Sequence, residues 1–390
     1  MRFERRCWAQ VDLDALRHNF AIVKQAAAGT PVMAVVKADA YGHGDAAVAK
    51  LLAQEGAAWF AVSGFEEALH LRRAGVEQPI LVLGYTSPQY ARGLAENRIT
   101  QTLYSTEYAR ALSAAAVEAG VTVQVHVKID TGMGRIGFPV RDDLAAAVDE
   151  IAAALALPAL AADGIFTHFA VADSILPAHV AYTRHQHELV EQTVAALAQR
   201  GITFRNVHCC NSAGIFAYPE FHHDLVRAGI ILYGENPSDD VRLAGLQPAL
   251  CVKAAVSLVK DIAAGDSESY GCTFTAAEPM RVATIAVGYA DGYPRQLSGR
   301  GTVSLHGRPA RVLGRVCMDQ LIVDVTHIPE VKMGDIATVC GGDAADSILD
   351  IAHATNTINY EVLCDIGRRV PRVYVEDGRE VHMVNYLREV

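Results

Sequence analysis

Between residues 32 and 234 two hydrophobic patterns alternate along the chain. Short runs rich in β-branched residues read as strands: VMAVVKAD (32–39), AWFAVSG (58–64), PILVLG (79–84), ITQTLYS (99–105), VTVQVHVKID (121–130), DGIFTHFA (163–170), FRNVHCCNS (204–212) and LVRAGIILYG (225–234). Between them lie stretches such as DAAVAKLLAQEGA (45–57), FEEALHLRRAG (65–75), STEYARALSAAAVEAG (105–120) and HVAYTRHQHELVEQTVAALAQRG (179–201), with apolar positions at helical spacing. In an opening helix, LDALRHNFAIVKQAAAG, Asp12 is placed to cap the start and Gly29 to end it. Eight strands alternating with helices predict a (β/α)8 barrel, an α/β fold. The other arrangement, an open doubly wound sheet, usually carries GxGxxG after its first strand. Here the first turn reads VVKADAYGHG instead.

After about residue 240 the texture changes. LQPALCVKAAVSLVKDI alternates with period two, and MRVATIAVGYADGY, GTVSLHGRPARVLGR, QLIVDVT and DIATVCGG follow, bounded by Gly, Pro or Asp. Strands without helical crossovers predict a second, mainly-β domain, with one helical pattern, SILDIAHATN, near its end. The division expected is a barrel over 8–240 and a β domain over 241–390. AQVDL, within residues 1–12, can serve as a strand of either domain.

Composition then narrows the function classes. Of 390 residues 51% are hydrophobic and 20% charged, enough for a sizeable core and unlike a disordered or collagen-like chain. A net charge of −10 weighs against retention on nucleic acid by counterion release, so no nucleic-acid partner is expected. The opening MRFERRCWAQVDLDAL has charge but no apolar stretch behind it, unlike a signal peptide. Without an apolar run of about 18 residues, no membrane association is expected either. The eight cysteines form no CxxC pair and are too sparse for a disulfide scaffold; they point to reduced, mostly buried thiols in a cytoplasmic protein.

In such a barrel the active site forms where the strands end at their C-terminal edge. The first strand offers Lys37, then Tyr41; the fifth, Lys128 and Asp130, with Arg135 past TGMG; the sixth, His168. The seventh gives His208, Asn211 and Ser212, and the eighth Arg227, Gly229 and Ile230. Lys37 sits in a run that should be buried, and burial lowers a lysine pKa because desolvation disfavours the ammonium. A neutral amine can form a Schiff base with an aldehyde. Glycine, serine and tyrosine groups at the other strand ends could hold a phosphate. Amine plus phosphate site suggests pyridoxal 5'-phosphate (PLP), whose ring acts as an electron sink. Each residue also has a plainer use: Lys37 can snorkel, His168 can be a hydrogen-bonded core histidine, and Arg135 can cap a turn. HQH (185–187) and His222–His223 look like metal ligands, but on a helix residues at i, i+2 point apart. Both read as surface features, and no metal is expected.

At these residues the chain resembles the alanine racemases, PLP enzymes with an N-terminal (β/α)8 barrel and a C-terminal β domain. AVVKADAYGHG is similar to the family's cofactor-lysine segment. KIDTGMGRIGF, FTHFA, NSAG, RAGIILYG, ESYGCTFTA, VGYADGY, GRVCMDQ and NYEVLC follow in the family's order. The resemblance implies racemisation of L- and D-alanine, supplying D-alanine for peptidoglycan, in a cytoplasmic homodimer with shared active sites. Lys37 would bind PLP and act as one catalytic base; Tyr270, from the other protomer, would be the opposite base. Arg227 would donate to the pyridine nitrogen. Tyr41, Ser212, Gly229, Ile230 and Tyr360 would hold the phosphate, with Asn211 beside them. Arg135 would touch the ring's phenolic oxygen and the substrate carboxylate, positioned by Lys128, often carbamylated in the family. His168 would link Tyr270 and Arg227. Met318 and Asp319 of the partner would line the substrate site, with Tyr289 near the entrance.

Racemisation must remove a proton from one face of Cα and return one to the other, which two bases on opposite faces do without swinging across the plane. Some positions vary from the familiar pattern: Cys209 and Cys210 before Asn211, Ala228, Cys272, and Phe274 where a second tyrosine is frequent. GYTSP (84–88) resembles a loop of serine/alanine racemases, the alternative reading; those relatives carry asparagine where this chain has Tyr360, which favours alanine. Rivals of other classes are a non-catalytic PLP-carrying barrel, which lacks a second domain, an amino-acid decarboxylase, which calls for an acidic residue at the ring nitrogen, and a sugar-phosphate barrel enzyme.

Overall fold

The structure is a computed structural model that describes residues 4–342 and 344–388. The chain forms two compact units: Leu16–Ala40 with Asp45–Gln247, and Met1–Ala15 and Tyr41–Gly44 with Pro248–Val390.

The first unit is the expected parallel barrel. Its strands are β1 (Val32–Val35), β2 (Trp59–Val62), β3 (Ile80–Val82), β4 (Ile99–Leu103), β5 (Val123–Lys128), β6 (Leu160–Phe166), β7 (Asn206–His208) and β8 (Val226–Ala228). They pair in the order β7-β6-β5-β4-β3-β2-β1-β8. Every residue of β1, β3, β4 and β8 is buried, because helices cover the outer face and side chains fill the inside. Between β7 and β8 two backbone bonds complete the ring: Arg227 N–H to Cys210 C=O at 3.0 Å and Asp224 N–H to Val207 C=O at 3.1 Å. Crossover helices Thr106–Ala119 and Leu144–Leu155 are capped by Ser105 and Asp143, whose side chains accept from Tyr108 N–H and Ala146 N–H. The register of β5 on β6 shifts between Val125 and His126. There Gly164 faces the His126 ring so closely that a Cβ would meet it at 2.5 Å. Only glycine leaves room for that imidazole.

The second unit is mainly β. Its nine-stranded sheet runs Met280–Ile285, Leu321–Asp324, Arg308–Leu313, Thr302–Leu305, Ile336–Cys340, Leu250–Ile262, Cys7–Asp12, Arg372–Glu376 and Arg379–Val384. A further pairing of Leu250–Ile262 with Met280–Ile285 closes the first six strands into a ring. The period-two reading of Leu250–Ile262 is matched by alternating burial through Val256. The early strand Cys7–Asp12 belongs to this sheet, antiparallel to Leu250–Ile262 and parallel to Arg372–Glu376. Asp12, at its end, caps helix Leu13–Ala26 by accepting from Ala15 N–H at 3.0 Å. Cys7, Cys209, Cys210 and Cys340 are buried, but Cys272 and Cys364 are exposed. Among the described residues no helix is long and apolar enough to cross a membrane.

Candidate active site

The barrel strands end in a cluster of cations. Strand β1 stops at Val35, short of the lysine, so Lys37 is half-buried rather than buried within a strand. It opens a short helix, Lys37–Gly42, of the left-handed kind: Ala38, Asp39, Ala40 and Tyr41 have φ between 52° and 56°. For residues with a Cβ this costs about 1–2 kcal/mol each, and such strain tends to collect at functional sites. Glu67 accepts from Ala38 N–H at 2.8 Å, and Asp39 accepts from Asp45 N–H at 3.1 Å. Tyr41, at the end of the turn, is buried; burial, then Tyr360 and Cys364, pushes its phenol well above the usual range, so it remains a neutral donor. The Tyr360 ring lies 6.0 Å from it.

Arg227, on β8, is the centre of the buried polar network. Its Nη1 donates to His208 Nδ1 at 2.8 Å and to His208 C=O at 3.1 Å. Its Nη2 donates to Thr167 C=O at 2.8 Å and Cys209 C=O at 3.0 Å, with His168 Nδ1 at 3.5 Å. No carboxylate pairs with it among the described residues, and Nε–H has no partner there. Burial pushes the guanidinium down to about 10, which leaves it charged at neutral pH. His168 and His208 are both held well below the usual imidazole range, first by burial and then by Arg227.

Two residues that the strand-end rule does not reach extend this network. With Nδ1 of His208 accepting from Arg227, its Nε2–H is free to donate to His126 Nδ1, 3.1 Å away. His126 Nε2–H then donates to Asp163 at 2.8 Å. That hydrogen bond holds the Asp163 carboxyl below its usual value. One signal was available: His126 lies two residues before Lys128 on β5, on the same strand face. Its partner, on β6, is not visible from spacing.

Lys128 ends β5, buried, with Nζ donating to Ile129 C=O at 3.3 Å and lying 5.2 Å from the Phe166 ring. Burial, then Arg227, pushes its amine down to about 7. The TGMG turn that follows is shaped by Asp130, which accepts from Gly132 N–H and Gly134 N–H at 2.9 and 3.0 Å. Arg135 is exposed and makes no hydrogen bond to Lys128.

Asn211 caps the short helix Ser212–Ala217, accepting from Gly214 N–H at 3.0 Å, and thereby sets Ser212. Ser212 Oγ accepts from Gly229 N–H at 2.9 Å, which leaves its own proton to donate. Ile230 heads the 3-10 helix Ile230–Tyr233, where its N–H has no intrahelical partner. Arg227 Nε–H, Ser212 O–H and Ile230 N–H are thus donors suited to an anionic, phosphate-bearing ring such as PLP, and these barrel residues fit that group.

In the second unit three loops are tied together. A two-rung hairpin, Ser267–Glu268 with Phe274–Thr275, carries Tyr270 at its tip, where Ser269, Gly271 and Cys272 all have positive φ. Ser269 Oγ donates to Arg315 C=O at 2.6 Å, while Tyr289 N–H and Ala290 N–H donate to Cys317 and Met318 C=O, each at 3.0 Å. Arg369 joins Asp319 to buried Asp291, both at 2.7 Å. Burial raises the Asp291 carboxyl, but hydrogen bonds from Arg6 and Arg369 hold it below its usual value. Tyr270, Met318 and Tyr289 are 72%, 52% and 41% exposed on these loops. Tyr270 has no hydrogen-bond partner among the described residues.

The histidines read as surface features separate. His185 is exposed as expected, but His187 is half-buried: its Nε2 meets His223 Nε2 at 3.0 Å. The pair is distant in sequence, and the spacing within HQH carries no trace of it.

Residues 11–237 match the family model of the alanine racemase N-terminal domain, and residues 249–374 that of the alanine racemase C-terminal domain. The alanine racemase of Desulforamulus reducens is 46% identical over 372 residues, 94% of this chain and 98% of its own. The structure of alanine racemase from Clostridium difficile 630 superposes with a TM-score of 0.93 at 38% identity, covering 99% of this chain and 100% of its own. That of alanine racemase from Bacillus anthracis with bound L-Ala-P gives 0.92 at 35% identity, with 100% of both chains covered.

Proposed function

The chain belongs to the alanine racemase family and is an amino-acid racemase; from that premise we propose that it interconverts L- and D-alanine with PLP by two bases, Lys37 and Tyr270. The observation that carries this reading is the environment of Arg227, a buried cation bonded among the described residues only to imidazoles and carbonyls, with Nε–H left to donate. Lys37 would hold PLP, which when bound would supply the electron sink that makes the α-proton of an amino acid removable. The Arg227 guanidinium, which would donate to the ring nitrogen, does not hand over its proton, so the sink would stay weak and decarboxylation, which needs a stronger one, would be disfavoured. Lys37 takes or returns the proton on one face of the substrate Cα. Tyr270 of the partner subunit does so on the other, which makes the working form a homodimer. Its exposure and its lack of a hydrogen-bond partner among the described residues support that role.

Ser212, Gly229, Ile230, Tyr41 and Tyr360 hold the phosphate, and His168 links Arg227 to the phenol. Arg135 orients the substrate carboxylate, with Met318 and Asp319 of the partner subunit lining the substrate site and Tyr289 near the entrance. Lys128 is carbamylated: its neutral amine adds to CO2, an N–C bond forms, and the proton released leaves a carboxylate for Arg135. The Tyr360 ring beside Tyr41 fills space that a serine side chain would need, so alanine is preferred. The product D-alanine goes to peptidoglycan, and the enzyme works in the cytoplasm.

Chiral analysis of L-alanine incubated with purified protein and PLP tests the reading. Growth of D-alanine to an equal mixture is expected; an unchanged L-enantiomer would overturn it.

A further inference from the structure

The His187–His223 pair belongs to a larger donor set. A ligand atom of each of His187, His223 and Cys209 lies within 4.8 Å of the other two. Glu191 adds a carboxylate oxygen 3.7 Å from His187 Nε2 and 3.4 Å from His223 Nε2. On a tetrahedral zinc with Zn–N and Zn–O of about 2.0–2.2 Å, two such ligand atoms are separated by about 3.3–3.5 Å. The carboxylate therefore already stands at nearly the required distance from both imidazoles, and the two nitrogens need part by only a few tenths of an ångström. We propose that His187, Cys209, His223 and Glu191 form a structural binding site for a divalent transition metal of the zinc class.

The donors suit such an ion. One thiolate, two imidazoles and a carboxylate match borderline-soft Zn2+ and are a poor set for Mg2+ or Ca2+, which take oxygen ligands. Without a metal, one Nε2 has to donate its proton to the other, and Cys209 donates to Phe221 C=O at 3.0 Å. On binding, the metal takes both Nε2 lone pairs, the shared imidazole proton sits on Nδ1, and the thiol proton leaves to solvent. Cys209 is buried, whereas Glu191 is mostly exposed and marks the route of entry.

The placement gives the site a purpose. His187 and Glu191 stand one helical turn apart on helix Pro177–Ala198, Cys209 directly follows β7, and His223 lies in the turn before β8. A metal here pins that helix to the β7–β8 seam of the barrel, which two backbone bonds join in place of a strand ladder. It also holds the Cys209 carbonyl and the neighbouring His208 ring, both of which accept from Arg227.

The test uses holoenzyme produced with added zinc and dialysed against a weak chelator. Elemental analysis should find one zinc per chain in the wild type and in His185→Ala, and none in His187→Ala or Cys209→Ser. Zinc K-edge absorption should give one sulfur and three light atoms around the metal. Because a variant could fold poorly, metal-free wild type is also titrated with zinc against a chromophoric chelator, beside His187→Ala of matching circular dichroism. The affinity should differ by at least about 100-fold. Zinc absent from the wild type, retained by both ligand variants, coordinated without sulfur, or bound equally in the titration would each overturn the proposal.

Discussion

The polar groups of the barrel and those of the β unit are held in opposite ways. Arg227, His208, His126 and Asp163 form a closed chain inside the barrel, each nitrogen aimed by the next group and mostly shut off from water. Tyr270, Tyr289 and Met318 are carried on loops whose backbones are firmly bonded while their side chains stand exposed. A buried network fixes orientation by itself. A stiff loop with a bare phenol fixes only a position, and its chemistry depends on what meets it. In the function proposed above, this contrast would reflect a division of labour in which the barrel supplies one half-site and the β unit supplies a part for another copy.

The strongest test of that contrast removes one base from each region. Lys37→Ala should abolish turnover and the visible absorbance of bound cofactor, measured by chiral chromatography and spectrophotometry. Retention of both would mean the barrel half-site is wrongly centred. Tyr270→Phe should keep the cofactor and the dimer but slow α-proton exchange by about 10²–10⁴-fold from one enantiomer far more than from the other. Deuterium uptake from L- and D-alanine in separate reactions reads this; equal slowing would show that the phenol does not serve one face.

The strand-end rule reached most of the barrel residues because parallel strands are nearly continuous apolar runs, so a polar residue at the end of one is conspicuous. Lys128, His168, Asn211, Ser212 and Arg227 all stood out that way. The left-handed turn after Val35 did not, since KADAY contains no glycine and no local preference for positive φ. Tertiary contacts such as Glu67 on Ala38 N–H stabilise it, and these are invisible in a window of a few residues. The expectation of a buried Lys37 failed for the same reason. His126–Asp163 and His187–His223 are long-range pairs, and periodicity reports which way a side chain points but not what it meets. The exposed tyrosine loop was legible only through family resemblance, because an isolated SYG in a hairpin has no chemical signature.

A gentler probe asks whether the far end of the barrel chain matters to the near end. Asp163→Asn keeps the shape but removes the charge that fixes the His126 tautomer. The expected result is a drop of about tenfold in kcat/KM, about 1.4 kcal/mol, carried by kcat rather than KM. It should come with a shifted absorbance of the bound cofactor and partial rescue in Asp163→Glu. An unchanged spectrum with a lower melting temperature would assign Asp163 to stability alone.

The last effect expected concerns Lys128 and bears on stability rather than turnover, and its sign follows from linkage. Its amine titrates at about 7 in the folded chain, against about 10.4 for a free lysine. Between those values the unfolded chain binds a proton that the folded chain lacks, so stability rises with pH across this window. Below about pH 7 both states are protonated and the burial penalty is present in full. Above about pH 10.4 both are neutral and the penalty is gone. Subtracting the urea-unfolding curve of Lys128→Met from that of the wild type cancels the other groups and should leave a positive slope of at most about 1.4 kcal/mol per pH unit from pH 7 to 9. A flat difference would mean that the amine is ordinary. Repeating the measurement with and without bicarbonate separates the two states proposed for this residue. CO2 binds only the neutral amine of the folded chain, so it adds stability in the same window, and only if Lys128 is the group it finds.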